Sequence, residues 1–267
     1  MEVELYLNKT VDENATLYYE KAKKAKKKLE GIREAIDHSD VRIDELEKEK
    51  AIAKEKKSVE KEPKTPQKRE WYEKFRWFFT SYGKLVIGGK DATTNEAIIK
   101  KHTDSDDLVF HTDMRGSPFI IIKAEGKAIH DIEKEEAAEF LACYSKAWKA
   151  GISSIEVFFV KPEQVTKEAK SGEYLTKGSF MIRGKTTYLG AILRMAVTVI
   201  DDKVYAGPIS AIKAQLKKRS PDSKPEQIRK MYAQIVQGSL KSSQIAKQIK
   251  TMFGGELDEI IKVIPPG

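Results

Sequence analysis

The fold is decided by residues 84–123, KLVIGGKDATTNEAIIKKHTDSDDLVFHTDMRGSPFIIIK. Within this stretch the runs KLVIGG, LVFHTD and FIIIK are short, apolar and rich in β-branched residues, and each is bounded by Gly, Asp or Lys, which is typical of strands. The same character recurs further along the chain. It predicts strands at SIEVFFV (154–160), SFMIRG (179–184), AILRMAVTVI (191–200) and KVYAG (203–207).

Helical periodicity marks other segments. IEKEEAAEFLACYSKAWKAG (132–151) is predicted as one helix that ends at Gly151. Further helices are predicted in ISAIKAQLKK (209–218), KPEQIRKMYAQIV (224–236) and SSQIAKQIKTMF (242–253). Strands mixed with helices, and then helices alone, predict an α+β fold: a mixed-sheet domain with C-terminal helices.

The folded domain is expected to begin at WYEKFRWFF (71–79), which holds six aromatic residues in nine positions. Aromatic side chains beside lysines can stack on unpaired bases. Six together are too many for an exposed platform, so we expect most of them to be buried.

The N-terminal region has a heptad pattern. Its seam consists of Tyr18, Ala22, Ala25, Leu29, Ile32, Ile36, Ser39, Ile43, Leu46, Lys50 and Ala53. Thr10 and Glu13 have the spacing of a capping box, so the helix is predicted to begin near Val11. A hairpin through Asp37–Asp40 is the alternative to one continuous helix.

This pattern divides the chain into three predicted regions. Residues 1–56 form a long coiled-coil arm, residues 57–70 a charged linker with two prolines, and residues 71–267 the α+β domain. A single apolar seam requires a partner helix, from a second copy or from another protein.

Composition excludes several classes of protein. The chain has 267 residues, 40% of them hydrophobic and 34% charged, with a mean hydropathy of −0.52 and no apolar run near the length of a membrane span. Cys143 is the one cysteine, which excludes an intramolecular disulfide and a metal site built on several thiolates. We expect a cytoplasmic protein without membrane contact, metal or cofactor.

The net charge of +8 is concentrated in one region. Residues 161–250 carry 18 Lys and Arg against 7 Asp and Glu. This excess is typical of a polyanion-binding surface, and a merely solubilising lysine-rich surface is the alternative.

Two constellations could carry chemistry. Gly88 and Gly89 follow a strand but lack the spacing of a nucleotide-binding loop, so we favour a tight turn. Asp107, His111 and Asp113 have even spacings that put them on one face of a strand, as a base and its orienting carboxylate would require. No nucleophile or metal accompanies them, so we favour a hydrogen-bonding or phosphate-contacting histidine over a catalytic one.

Two blocks resemble a known family. GGKDATTNEAIIKKHTDSDDLVFHTDMRGSPFIII (88–122) resembles the first signature of the NFACT-R domain, and YSKAWKAGISSIEVFFVKPEQVTKEAKSGEYLTKGSFMIRGKTTYL (144–189) resembles its later elements in order. VDENATLYYEKAKKAKKK (11–28) is similar to the family's entry into its middle coiled coil. The resemblance is closest to archaeal members and implies a C-terminal portion, the middle coiled coil plus NFACT-R, of an RqcH- or NEMF-type protein.

The resemblance also implies site residues. Expected RNA contacts are Lys90, His111, Arg115, Lys146, Lys161, Lys170, Lys177, Arg183 and Lys185. Expected loop-shaping residues are Gly88, Gly89, Asp91, Asn95, Glu96, Gly116, Ser117, Ser171, Gly172, Glu173 and Tyr174. Asp91 and Glu96 are expected to fix their loop through backbone hydrogen bonds, and Gly172 to supply an unusual backbone angle. Pro118 stands where many bacterial members have histidine.

Members of this family act in ribosome-associated quality control. The leading hypothesis is therefore a non-enzymatic module that binds tRNA and the rRNA of the large ribosomal subunit on stalled nascent-chain complexes. One alternative is a coiled-coil scaffold without intrinsic RNA binding. Another is an RNA-processing enzyme that uses Asp107, His111 and Asp113.

Overall fold

The computed structural model describes residues 4, 6, 8–33, 36, 70–168, 175–238 and 240–265. The chain separates into two compact units, Met1–Lys68 and Arg69–Gly267. In the described part of the chain, no helix combines the length and the apolar character needed to cross a membrane.

The first unit contains helix α1, residues 11–33. Glu13 Oε2 accepts a hydrogen bond from Thr10 N at 2.8 Å, and Thr10 Oγ1 accepts one from Glu13 N at 3.3 Å, so the predicted capping box begins the helix. Most of the heptad seam beyond residue 36, the hairpin alternative and the linker lie outside the described residues.

The second unit begins with strands that alternate with helices, and most of its helices lie near the C-terminus. Its elements are a 3₁₀ helix at Trp71–Lys74, β1 (Arg76–Phe79), β2 (Leu85–Gly88), α2 (Ala92–Lys101), β3 (Leu108–His111), β4 (Ile120–Ile122), α3 (Asp131–Cys143), α4 (Lys146–Lys149), β5 (Ser154–Val160), a 3₁₀ turn at Pro162–Gln164, β6 (Val165–Thr166), β7 (Met181–Ile182), β8 (Thr187–Ile192), β9 (Met195–Ile200), β10 (Lys203–Gly207), α5 (Ile209–Arg219), α6 (Pro225–Arg229), β11 (Ala233–Ile235), α7 (Ser242–Phe253) and α8 (Leu257–Val263). The fold is α+β, as predicted.

Six strands form an antiparallel sheet in the order β1-β2-β4-β3-β5-β8. Because successive side chains of a strand point to opposite faces, each strand serves two cores. Val86, Phe110 and Ile120 pack with α3 on one face, whereas Ile87 and Ile121 pack on the other face. The core on the second face also takes in residues of α2, of the aromatic 3₁₀ helix and of β6–β7.

A second sheet has the order β10-β9-β11. One side of it joins the α3 core together with α7 and α8, and the other side packs Ala196 against Ile212 and Leu216 of α5 and Ile228 of α6. These C-terminal elements therefore bury apolar surface against the domain.

The structure corrects three boundaries. The segment predicted as one helix over 132–151 is two helices that meet at Tyr144 and Ser145, and the segment predicted as one strand over 191–200 belongs to β8 and β9, which lie in different sheets. Only the start of 224–236 is helical, because Ala233–Ile235 pairs with β9. Helices α2 and α8 were not predicted.

The aromatic segment is divided between core and surface. Phe75 and Phe78 are each 2% exposed, whereas Trp71 is 45% exposed and stacks on His102 with ring centroids 4.7 Å apart. Three of the other aromatic side chains, Tyr72, Trp77 and Phe79, pack partly buried against the second core.

Candidate nucleic-acid interface

An open cleft of about 920 Å³ lies where the β2–α2 loop, the β3–β4 loop, the α3–α4 junction and residues 175–182 come together. Ten of the site residues expected from the sequence line it: Gly89, Lys90, Asp91, Asn95, His111, Arg115, Gly116, Ser117, Lys146 and Lys177. These residues come from four separated segments of the chain, so the fold has brought them to one place.

The β2–α2 loop forms one wall. Asp91 caps α2, since its Oδ1 accepts a hydrogen bond from Thr94 N at 2.8 Å. Hydrogen bonds from Thr94 lower the pKa of the Asp91 carboxyl. Glu96, also expected to fix the loop through backbone groups, instead forms ion pairs with Lys100 and Lys167 at 3.0 and 3.4 Å.

The glycine pair beside this loop is explained by close packing. Gly88 lies within β2 opposite Ile120, and a Cβ atom there would come within 2.3 Å of Ile120 Cδ1. A Cβ atom on Gly89 would come within 1.8 Å of Asn95 Oδ1. Gly88 therefore ends β2 against Ile120, and Gly89 leaves room for the Asn95 side chain. The two residues do not form the expected tight turn.

The β3–β4 loop forms the opposite wall. His111 Nε2 lies 3.3 Å from Ser117 O, and its ring stacks on Phe119 at 4.2 Å between centroids. Burial lowers the pKa of His111, so the imidazole is held in its neutral form more strongly than in water. Gly116 has φ +82°, and Lys146 Cε lies 3.1 Å from where its Cβ would be.

The α3–α4 junction supplies two lysines. Ser145 Oγ accepts a hydrogen bond from Ala147 N at 3.2 Å and thereby caps α4. The break between the helices turns Lys146 and Lys149 toward the cleft, and both side chains are exposed. A helix continued through Tyr144 would not place them in this way.

Arg76 forms the base of the cleft. Its guanidinium lies 4.5 Å above the ring of Tyr144, and it donates a hydrogen bond to Gly89 O. Burial lowers the pKa of Arg76, which nevertheless remains protonated because a guanidinium titrates far above neutrality. Burial also lowers the pKa of Lys90, and the positive charges of Arg76 and Lys262 lower it further.

The remaining wall is the loop before β7. Gly178 has φ +78°, and a Cβ atom there would lie 2.5 Å from Ala92 Cα at the start of α2. This backbone contact holds the loop against α2 and places Lys177 at the cleft.

The charge of the cleft is strongly positive. Its lining has the cations Arg76, Lys90, Arg115, Lys146, Lys149 and Lys177, against the acids Asp91 and Asp113. None of the six cations forms an ion pair with a carboxylate among the described residues. Unpaired cations around a concave surface attract a polyanion.

Three other expected contacts lie together outside the cleft lining. Gln164 Nε2 donates hydrogen bonds to Arg183 O at 2.8 Å and to Lys185 O at 2.9 Å, and its Oε1 accepts one from Lys161 N. The Arg183 side chain pairs with Glu168 at 3.1 Å. Lys170, Ser171, Gly172, Glu173 and Tyr174 lie outside the described residues.

The structure separates Asp107 from His111 and Asp113, the other two residues considered for catalysis. Asp107 is 1% exposed and pairs with Lys123, whereas His111 lies four residues further along β3 against Ser117 and Phe119. Asp113 Oδ2 lies 3.5 Å from the hydroxyl of Tyr188. The carboxylate of Asp107 therefore does not orient the imidazole. Among the described residues, no group of three or more His, Cys, Asp and Glu could hold a metal ion.

Residues 74–184 match the family described as "NFACT protein RNA binding domain". The chain belongs to the NFACT family. Similar proteins include the "Archaeal Rqc2 homolog aRqcH" of Methanocaldococcus jannaschii, 41% identical over 80% of this chain, and the "Ribosome quality control complex subunit NEMF" of Mus musculus, 38% identical over 66%. The chain spans only 31% and 16% of those two NFACT proteins. A solved structure of the C-terminal part of a fibronectin/fibrinogen-binding protein from Streptococcus suis aligns with a TM-score of 0.38 at 19% identity, over 50% of this chain and 49% of that one.

The cleft of this NFACT domain includes functional candidates that sequence reasoning missed. Arg76 was hidden in the aromatic run, and Lys149 was assigned to a continuous helix. Gly178 belongs to the Gly-Ser-Phe element of the second family block, which could have indicated it. Only the fold shows that these three residues line one cleft.

Proposed function

We propose that this NFACT chain is an RNA- and ribosome-binding module of a cytoplasmic ribosome-associated quality-control factor. It contacts tRNA and the rRNA of the large subunit on complexes that carry a stalled nascent chain. The names of its relatives, which include a ribosome quality control complex subunit, support this role.

One observation carries the proposal. Five segments that are separated in sequence place six cations and two acids around a single cleft. Lys and Arg that neutralise phosphates supply affinity with little base selectivity, which suits recognition of structured RNA by its shape.

The same arrangement supports a binding role over a catalytic one. Asp107 is committed to Lys123, and His111 faces a backbone carbonyl and an aromatic ring. Burial raises the pKa of Cys143 far above its ordinary range, so this thiol is not a nucleophile at neutral pH.

The test is a binding series with tRNA and with isolated large subunits over a range of salt concentrations. Lys146→Ala/Lys149→Ala removes two cleft cations, and Lys101→Ala/Lys127→Ala is the control. Both control lysines are exposed and neither lines the cleft, since Lys101 ends α2 and Lys127 lies in the turn between β4 and α3. We expect the parent affinity to fall steeply with salt, and the cleft variant to bind about tenfold or more weakly with a shallower salt dependence.

Equal binding by the cleft variant and the control would contradict the proposal. Binding that is lost only when Lys161, Arg183 and Lys185 are changed would move the interface to the surface around Gln164. RNA cleavage by the parent protein, abolished by His111→Ala with RNA binding retained, would favour the enzymatic alternative.

A second role is supported by α1. Leu29 and Ile32 are 51% and 50% exposed on this helix, and Ile36 is 53% exposed. We propose that the arm packs this seam against a helix of a second copy or of another protein. Sedimentation of the parent and of a Leu29→Lys/Ile32→Lys variant tests this: a tight parent dimer without an RNA-dependent shift would favour a scaffold.

A further inference from the structure

The face of the large sheet that borders the cleft carries a row of aromatic rings. His111, Phe158 and Tyr188 are direct partners across β3, β5 and β8. Ring centroids are 6.1 Å apart between His111 and Phe158 and 5.6 Å apart between Phe158 and Tyr188. Phe119 extends the row behind His111. The rings therefore run from the cleft to the edge of the sheet.

Burial changes along this row. Phe119 and Phe158 are 3% and 5% exposed, so they serve the core. Tyr188, in contrast, is 47% exposed. On the same face of β8, Ile192 is 49% exposed, and Gly190 has no described neighbour within 4 Å of its Cβ position. The end of the row is thus an open shelf among the described residues.

The Tyr188 ring is held in place. It packs edge-on against Phe158 at 63°, and its hydroxyl lies 3.5 Å from Asp113 Oδ2 in the lining of the cleft. A ring that is fixed before binding loses little conformational entropy when a ligand stacks on it. A half-exposed aromatic residue on a sheet surface, beside a cationic cleft, is the arrangement on which unpaired bases stack.

We propose that Tyr188 is a base-stacking residue and that the ligand which crosses from the cleft to the sheet edge is unpaired RNA. This inference rests on the proposed RNA-binding function and narrows its substrate class. The cleft cations hold the phosphates, and a base one or two nucleotides away lies on Tyr188. The spacing fits, because β3 and β8 are two strand separations, or about 10 Å, apart.

A base paired within a duplex cannot supply this contact, because its faces are already stacked on neighbouring base pairs. Tyr188 therefore discriminates unpaired from paired RNA, whereas the cleft cations serve both. The cleft cations thus supply affinity for RNA in general, and Tyr188 supplies selectivity for unpaired RNA.

The test uses the full chain and two RNA probes. One is a single strand of about ten nucleotides with a central 2-aminopurine, and the other is a hairpin that has the same sequence within its stem and a linker without bases as its loop. The variants are Tyr188→Ala, Tyr188→Phe and the cleft variant Lys146→Ala/Lys149→Ala. Tyr82→Ala is the matched control, since Tyr82 is 63% exposed and follows β1 at the far end of β2 from the cleft.

We expect Tyr188→Ala to bind the single strand about tenfold more weakly, to abolish the quenching of 2-aminopurine and to leave hairpin binding unchanged. Tyr188→Phe keeps the ring and should bind as the parent does. The cleft variant should lose affinity for both probes, and Tyr82→Ala for neither. Thermal unfolding of each variant verifies that it folds.

Unchanged single-strand binding by a folded Tyr188→Ala protein, together with weaker binding by the cleft variant, would overturn the stacking role and leave the RNA-binding function intact. An equal loss for both probes in Tyr188→Ala would also overturn it, since selectivity for unpaired RNA would be absent. No binding of either probe by the parent would overturn the RNA-binding function and the stacking role together.

Discussion

Asn95 Oδ1 accepts a hydrogen bond from the backbone N–H of Phe119 at 3.2 Å, and this bond joins helix α2 to the loop that precedes β4. The carbonyl oxygen of the same residue, Phe119 O, accepts a hydrogen bond from Gly89 N at 3.1 Å. The two walls of the cleft are thus fixed through one residue, and Gly89 has no side chain that would displace Asn95.

Gly89→Ala should therefore destabilise the protein. Its Cβ would lie 1.8 Å from Asn95 Oδ1, so Asn95 must leave and the buried amide of Phe119 loses its partner. We expect the free energy of unfolding to fall by about 1–3 kcal/mol, measured by chemical denaturation. Gly190→Ala is the control, because no described residue lies within 4 Å of its Cβ position. Equal stability of the two variants would contradict the role of Asn95.

Gly178→Ala should impair the cleft itself. The substitution puts a Cβ atom 2.5 Å from Ala92 Cα, which forces the loop that holds Lys177 away from α2. Gly126→Ala is a close control: φ is +72° at Gly126 and +78° at Gly178, but within the described part of the chain nothing lies within 4 Å of the Gly126 Cβ position. Both variants should lose about 1 kcal/mol from backbone strain. Only Gly178→Ala should also weaken tRNA binding, and similar affinities for the two would refute the loop's part in the cleft.

Local sequence was sufficient for much of the fold, but not for its junctions. KLVIGG, LVFHTD and FIIIK form strands wherever they pack, because their β-branched residues suit both faces of a sheet. The apolar pattern continues through Tyr144 and through Leu193, so it gives no sign of the breaks there. Ala233–Ile235 becomes a strand because it pairs with β9 more than thirty residues earlier, which local propensity cannot indicate.

The candidate site was likewise only partly predictable from the sequence. Family motifs indicated Lys90, Arg115 and Lys146 but gave no reason for them to be neighbours. Arg76 precedes the motif and is held by its contact with Tyr144, which exists only after α3 has packed on the sheet. The proposed role of Tyr188 can be recognised only from the strand register that places it beside Phe158.

His111 should take up a proton when RNA binds. Burial lowers its pKa below the ordinary value of 6.5, and phosphates in the cleft would favour the charged imidazolium. We expect an NMR titration of the ring to place the pKa of His111 below 6.5 in the free protein and higher in the RNA complex. RNA affinity should accordingly increase as the pH falls from about 7 to about 5.5, and His111→Gln should remove this part of the dependence.

The free energy of unfolding should change with pH in the opposite direction to RNA affinity. The unfolded chain binds the proton more readily than the folded one, so the stability that the neutral imidazole contributes is complete above pH 6.5 and is lost as the pH falls from there toward the folded pKa. His102 is the internal control, because burial also lowers its pKa but it lies at the end of α2 away from the cleft. An RNA-induced shift at His102 equal to that at His111 would contradict direct contact.

Asp107→Asn should cause a large loss of stability. Asp107 is 1% exposed and Lys123 7% exposed, and the Asp107 carboxylate also accepts hydrogen bonds from Asp104 N at 2.8 Å and Ala124 N at 2.9 Å. Burial lowers the pKa of Lys123, but its hydrogen bonds to Asp104 and Asp107 outweigh this and the net shift is upward, so the ammonium stays charged. Removing one partner of a buried ion pair costs about 3–5 kcal/mol.

Two further variants distinguish this structural role from a catalytic one. Lys123→Met leaves the buried Asp107 carboxylate without a cation, whereas Asp107→Asn leaves Lys123 paired with Asp104, so Lys123→Met should be at least as harmful. The double variant should recover part of the Lys123→Met loss, because the buried carboxylate is then also absent. Chemical denaturation of the three proteins measures the coupling. At a temperature where Asp107→Asn is still folded, it should bind tRNA with the parent affinity, since the Lys123–Asp107 pair is formed at the start of β3 and the cleft lies beyond its end. Additive losses of stability would contradict the coupling between Asp107 and Lys123. An intact fold with weakened RNA binding would show that Asp107 acts at the cleft.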